Sequence, residues 1–211
     1  MINLCFHGIG APERELEADE AQFWVEQEQF EALLDAAGDL EEVRLTFDDG
    51  NRSDVVVALP ALLERGLTAS FFVVAGRLEE PGSLSAADVA TLARAGMTIG
   101  THGMRHRPWR SLDEAGYGEE LDEARTILAA AAGTPIEEAA CPFGAYDRRT
   151  LGALKKRGYA RVYTVDRRPA APKDWLQARY VIQRSDTPDS VRAFGHDSFL
   201  LAAKTAAKRW R

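Results

Sequence analysis

Two cysteines in 211 residues, Cys5 and Cys141, are too few for a disulfide framework. Both lie in apolar, strand-like segments, where a free thiol usually behaves as a small hydrophobe. Basic residues are also in deficit, 26 against 33 acidic, for a net charge of -7. That balance lacks the basic face that phosphate neutralisation needs, and it argues against a general nucleic-acid binder. Long apolar runs are missing as well, because charges interrupt each of them before the length of a membrane span. The first segment, Met1–His7, carries no basic leader and gives way to an acidic stretch from Glu13 to Glu20, a poor secretion signal. Together these features lead us to expect a soluble, cytoplasmic protein. No low-complexity tract and no close repeat breaks the chain, whose length suits one domain over 1–211.

What is present is a rhythm. Short β-branched or aromatic runs at Ile2–His7, Val43–Asp48, Thr68–Ala75, Met97–His102, Glu138–Phe143, Arg161–Asp166 and Gln177–Ile182 alternate with amphipathic, charged stretches. Helical patterns fall at about Phe23–Ala37, Asp54–Arg65, Ser85–Ala95, Leu112–Ala132 and Arg148–Arg157, with a last one from Ser190 to Trp210. Gly66, Gly96, Gly133 and Gly158 stand where helices would close, and Ser53 or Asp54 and Ser85 stand where they would start. Parallel neighbours need a crossover element, so this alternation predicts an α/β fold with a parallel sheet. In a barrel of that kind chemistry gathers at the carboxyl ends of the strands, and an open doubly wound sheet would place it similarly. His7, Asp48, Asp49, His102, Phe143, Gly144 and Asp166 all sit at expected strand ends.

Two short segments carry the chemistry. Asp48 and Asp49 close a strand-like run, and adjacent carboxylates in extended backbone point to opposite sides. One could then ligate a cation while the other takes a proton from water. Gly50 allows a sharp turn after them, although Asp-Asp-Gly alone more often marks only a turn. His102 and His106 are four apart, a spacing that shares one face of a helical turn and could bring two imidazoles to one ion at about 2.0–2.1 Å. Taken alone, such a pair is more often a surface coincidence. Two histidines and one carboxylate would leave coordination positions open, as hydrolysis requires. Ligands of this kind suit zinc first, with cobalt, nickel or iron compatible.

Thr46-Phe47-Asp48-Asp49-Gly50, His102-Gly103-Met104-Arg105-His106 and Pro142-Phe143-Gly144 resemble, in order, the first three motifs of the polysaccharide deacetylases of carbohydrate esterase family four. The resemblance extends from about Arg44 to Asp166. It implies a distorted seven-stranded (β/α) barrel and a divalent-metal hydrolase that removes N-acetyl, or less readily O-acetyl, groups from a carbohydrate. It further implies Asp48 as general base and Asp49, His102 and His106 as metal ligands. Phe143 or Gly144 would supply a backbone N–H for the oxyanion, with Pro142 in the segment that lines the groove.

The chain departs from that family at two places. Ala140 stands where the third motif usually has an arginine bracing the catalytic aspartate, and Arg179 or Arg184 could substitute. The late histidine that usually acts as general acid has no counterpart at a strand end; His196 falls in the terminal amphipathic segment, and His7 is the better substitute. Asp166 and Arg168, with Arg161 and Arg167 nearby, could meet a polar substrate. Trp109 and Trp175 could stack on sugar rings, with core packing and a solvated charged rim as the plainer alternatives. The expected partner is an acetylated carbohydrate, an intermediate of glycan or surface-polysaccharide assembly. A catalytically impaired carbohydrate-binding or regulatory relative, or a deacylase of a non-sugar amide, are the rival readings.

Overall fold

The computed structural model describes residues 1–194. Eight parallel strands form one sheet in the order β7-β6-β5-β4-β3-β2-β1-β8. They are β1 (Ile2–Phe6), β2 (Val43–Asp49), β3 (Ala69–Val73), β4 (Thr98–Thr101), β5 (Glu138–Ala140), β6 (Arg161–Thr164), β7 (Leu176–Ala178) and β8 (Tyr180–Val181). β7 and β8 are the two edges of the sheet, yet only Arg179 separates them in the chain. One run of polypeptide therefore pairs with β6 by its first half and with β1 by its second, giving a nearly closed barrel. Seven expected strand runs become eight because this closing run switches neighbours at Arg179. Asn3 sews the seam, donating through Nδ2 to the Gln177 side chain at 3.0 Å and to the Ala178 carbonyl at 2.9 Å.

Alternation along the strands separates two environments. Phe6, Phe47 and Phe71 lie in register across β1, β2 and β3, and their rings stack at 5.4 and 4.7 Å. Phe30 of α1 (Gln27–Gly38) meets Phe6 edge-on at 5.2 Å, so this row faces the surrounding helices. The intervening residues, Thr46, Asp48 and Phe72, face the barrel interior together with Ala140 and Tyr163.

The remaining helices cover the outside and set the loops. A π-helical turn, Asp54–Ala58, runs into α2 (Leu59–Glu64), and α3 (Ala86–Arg94) follows β3. Ser85 is the N-cap, as expected, and it also forms a capping box with Asp88. Ser53 does not cap: its backbone is already helical, and its hydroxyl accepts instead from the Ile9 N–H at 3.2 Å. The long helical stretch after β4 is broken into α4 (Glu114–Tyr117), a π-helical segment (Gly118–Glu123) and α5 (Ala124–Ala132), which Gly133 closes at φ +70°. After β5 comes α6 (Arg148–Lys156), which starts on Asp147, whose carboxylate accepts from the Thr150 N–H, and the chain is helical again over 188–194. His196 and the terminal helical pattern beyond Phe194 lie outside the described residues. Among the described residues no helix is long and apolar enough to cross a membrane.

Candidate metal and catalytic site

At the carboxyl ends of β1, β2 and β4 the two motif segments meet. Asp49 stands at φ +78°, which breaks the strand alternation and turns its carboxylate away from the side it would otherwise take. Asp48 and Asp49 therefore do not diverge, contrary to the expectation from extended backbone. Both reach the same imidazole: His102 Nε2 lies 3.7 Å from Asp48 Oδ2 and 3.7 Å from Asp49 Oδ1. His106 Nε2 lies 3.3 Å from the same Asp49 oxygen. Gly50, at φ +75°, makes the turn that follows.

The protonation of the two imidazoles is set from behind. His102 Nδ1 is 2.9 Å from the Ala140 carbonyl, which only accepts, so Nδ1 carries the proton and Nε2 is a lone pair facing the carboxylates. Burial pushes the His102 pKa down to about 4, outweighing the opposing pull of Asp48, which keeps the ring neutral and fit to ligate. His106 Nδ1 faces the Glu17 carboxylate, 3.1 Å from each oxygen, and its Nε2 likewise faces Asp49. Asp49 Oδ1 is buried without a hydrogen-bond partner. A buried carboxylate oxygen left open between two imidazole lone pairs fits a divalent cation, and Asp49, His102 and His106 each offer one ligand atom within 4.8 Å of the others.

Asp48 belongs to a different arrangement. Arg179, fully buried at the β7–β8 junction, donates from Nη1 to Asp48 Oδ1 at 2.6 Å and from Nη2 to Oδ2 at 2.7 Å. Its Nη1 also reaches Thr46 Oγ1 at 3.2 Å, and its Nε reaches the Thr164 carbonyl at 3.3 Å. The guanidinium lies over the rings of Phe72 and Tyr163, against which Ala140 packs. Arg179 thus supplies the brace that is missing at Ala140. Arg184, the other candidate, pairs with Glu26 at the surface instead. Burial on its own would raise the Asp48 pKa, but the Arg179 charge, then His102, overcomes it and holds the carboxyl well below the usual range.

His7 arrives from the end of β1. Its ring stacks on Phe23 at 5.1 Å, its Nδ1 is buried without a partner, and one of its nitrogens lies within 4.8 Å of Asp48 and Cys5 ligand atoms. Phe143 stands at φ +56°, exposed, with its ring 4.5 Å from that of His106. Pro142 is buried in the turn, and Gly144 donates its N–H to the Cys141 carbonyl at 2.9 Å. Asp166 and Arg168 are exposed beyond β6, and Asp166 accepts from the hydroxyls of Tyr146 and Thr164. Arg161 pairs with Glu138. Trp109 is a core residue, fully buried, and Trp175 donates to the Tyr159 carbonyl and packs against the same cluster.

Glu120 was not marked by any sequence motif. Its fully buried carboxylate accepts from the Met104 N–H at 2.9 Å and from Arg107 Nε at 2.8 Å, with longer contacts to the Arg105 N–H and Trp109 Nε1 at 3.4 Å. Gly103 leaves room for it, since a Cβ there would meet Glu120 Oε2 at 2.3 Å. The loop carrying His106 is therefore wrapped around a carboxylate from the π-helical segment.

The family model for polysaccharide deacetylases matches residues 36–162, more than half of the chain, and the chain belongs to that family. Among individual relatives, the Bacillus subtilis protein YxkH, assigned to the polysaccharide deacetylases, is 25% identical over 142 residues, 67% of this chain and 50% of that one. The chain spans about half the length of that curated relative. The Streptococcus pyogenes deacetylase PplD, solved in complex with acetate, superposes at TM-score 0.78 with 18% identity, over 92% of this chain and 97% of that one. A polysaccharide deacetylase from Bacillus cereus superposes at 0.76 with 19% identity, over 92% and 68%. At these identities the two solved structures establish the shared fold.

Proposed function

We propose that the chain is a metal-dependent carbohydrate deacetylase that releases acetate, acting on N-acetyl groups in preference to O-acetyl esters. The observation that carries this reading is the pair of imidazole Nε2 atoms facing one unpartnered carboxylate oxygen, beside a second carboxylate locked by Arg179. Asp49, His102 and His106 would hold the cation, zinc first among divalent ions. When bound, it supplies Lewis acidity for the acetyl carbonyl and the attacking water.

The chain's own residues do the rest. Asp48 stays ionised through neutral pH, and Arg179 fixes its carboxylate plane for taking the water's proton at an oxygen edge. The Phe143 N–H is the oxyanion donor, since Gly144 has already used its own. His7 gives the proton to the leaving amine. The exposed Phe143 ring, Asp166 and Arg168 form the rim that an acetylated sugar would meet.

Replacing His7 with glutamine lowers kcat by about 10²-fold or more while metal content is unchanged. Unchanged turnover would remove His7 from the reaction. For the activity itself, acetate release is measured from a panel of N-acetylated and O-acetylated sugars, oligosaccharides and ring-free amides. Release confined to the sugars supports the proposal, release from ring-free amides alone replaces it with a general deacylase, and no release from any of them rejects it.

A further inference from the structure

Each imidazole facing Asp49 needs a partner on its Nδ1 if its Nε2 is to be held as a ligand. His102 has a backbone carbonyl from the neighbouring strand. His106 has only a side chain drawn from 89 residues away: both oxygens of Glu17, each 3.1 Å from Nδ1. His106 itself stands at φ +51°, a left-handed conformation that costs a non-glycine residue energy and must be held by its surroundings.

The loop that brings Glu17 is fastened at several points. The Glu17 N–H donates to Glu20 Oε2 at 2.8 Å, Glu20 is paired with Arg14, and Arg14 Nε donates to Asn51 Oδ1 at 3.1 Å, next to the turn after Asp49. Arg77 closes on the Glu17 carboxylate from the other side. Arg77 Nη2 also lies 3.4 Å from His106 Nδ1, but a guanidinium only donates and the carboxylate only accepts. With both carboxylate oxygens nearer than the guanidinium, the arrangement favours an Nδ1–H directed at Glu17.

We infer that Glu17, held by Arg77, is a positioning residue that fixes the tautomer and ring orientation of His106, so that the loop between β1 and α1 sets the metal affinity of the site. A carboxylate behind a metal-bound imidazole makes the facing nitrogen a better donor, and losing one typically costs 10–100-fold in affinity. The inference rests on His106 being a ligand. Nothing in the acidic stretch of the sequence distinguishes Glu17 from its neighbours; only the fold selects it.

The test is the Kd for zinc by chelator competition, with the electronic spectrum of the cobalt-loaded protein as a second readout. Glu17→Ala is expected to raise the zinc Kd by about 10–100-fold and to shift the cobalt bands. Glu17→Gln, whose amide oxygen still accepts from Nδ1–H, is expected to recover part of that loss, which a mere loosening of the loop would not produce. A folded Glu17→Ala protein with a wild-type Kd overturns the inference, and so does a Gln variant as weak as Ala. His106→Ala separates the two levels: if it too keeps wild-type affinity, the metal assignment itself fails, whereas loss of affinity there with none in Glu17→Ala rejects only the brace.

Discussion

Arg179→Met destabilises the metal-free protein by about 3–5 kcal/mol, because it leaves the buried Asp48 carboxylate without its counter-charge. For a chain of this size that corresponds to a fall in Tm on the order of 10 °C. Arg179→Lys recovers part of the stability but not the catalysis, since an ammonium cannot reproduce the two parallel N–H bonds to Oδ1 and Oδ2. The pH dependence has a definite sign. In the wild-type protein the depressed Asp48 pKa contributes stability above the unfolded carboxyl value, near 4, and this is lost only as the pH falls through the lower folded value. Without Arg179, burial raises the same pKa, so the variant loses stability as the pH rises through it. The stability gap between the two proteins is therefore widest at neutral pH and narrows in acid. Denaturant titrations across that range measure it, and a gap that is constant with pH would show that the pair is not the cause.

Asp48→Asn separates the two adjacent aspartates. Proton removal is lost, so kcat falls by about 10²–10⁴-fold, while the ligand set at Asp49, His102 and His106 is untouched and metal content stays at wild-type level. Because the amide is neutral, Arg179 loses its counter-charge, and the variant is expected to be less stable as well. Metal lost together with activity would mean that Asp48 is itself a ligand and that the division of labour between the neighbours is wrong.

The sequence made part of this site legible and hid the rest for physical reasons. Asp48, Asp49, His102 and His106 stand next to strand ends, in short segments whose spacing has a direct geometric meaning. Strand rhythm likewise placed the parallel sheet, while its closure into a barrel was implied only by the family resemblance; the switch of pairing at Arg179 was hidden, because one strand serving two neighbours has the same alternation as any other. Arg179 was visible as one of two arginines around the last strand; its signal was a charge set between the apolar neighbours Ala178 and Tyr180, which only burial can turn into a salt bridge. The convergence of Asp48 and Asp49 on one imidazole depends on a positive φ at a non-glycine residue, which strand periodicity does not encode. Glu17 and Glu120 act across long separations on the loop that carries His106, and neither stands in a motif. Of the two readings weighed for Trp109, core packing holds: the loop that carries it folds over the Glu120 carboxylate and buries the indole.

Metal stoichiometry coupled to acetate release tests the central claim most directly. The purified chain should bind one divalent ion, release acetate from an N-acetylated sugar, lose that activity on chelation and regain it on adding one equivalent back, while His102→Ala retains neither ion nor activity. Acetate release that survives complete removal of the ion, or an ion still bound at full occupancy in His102→Ala, would contradict the account.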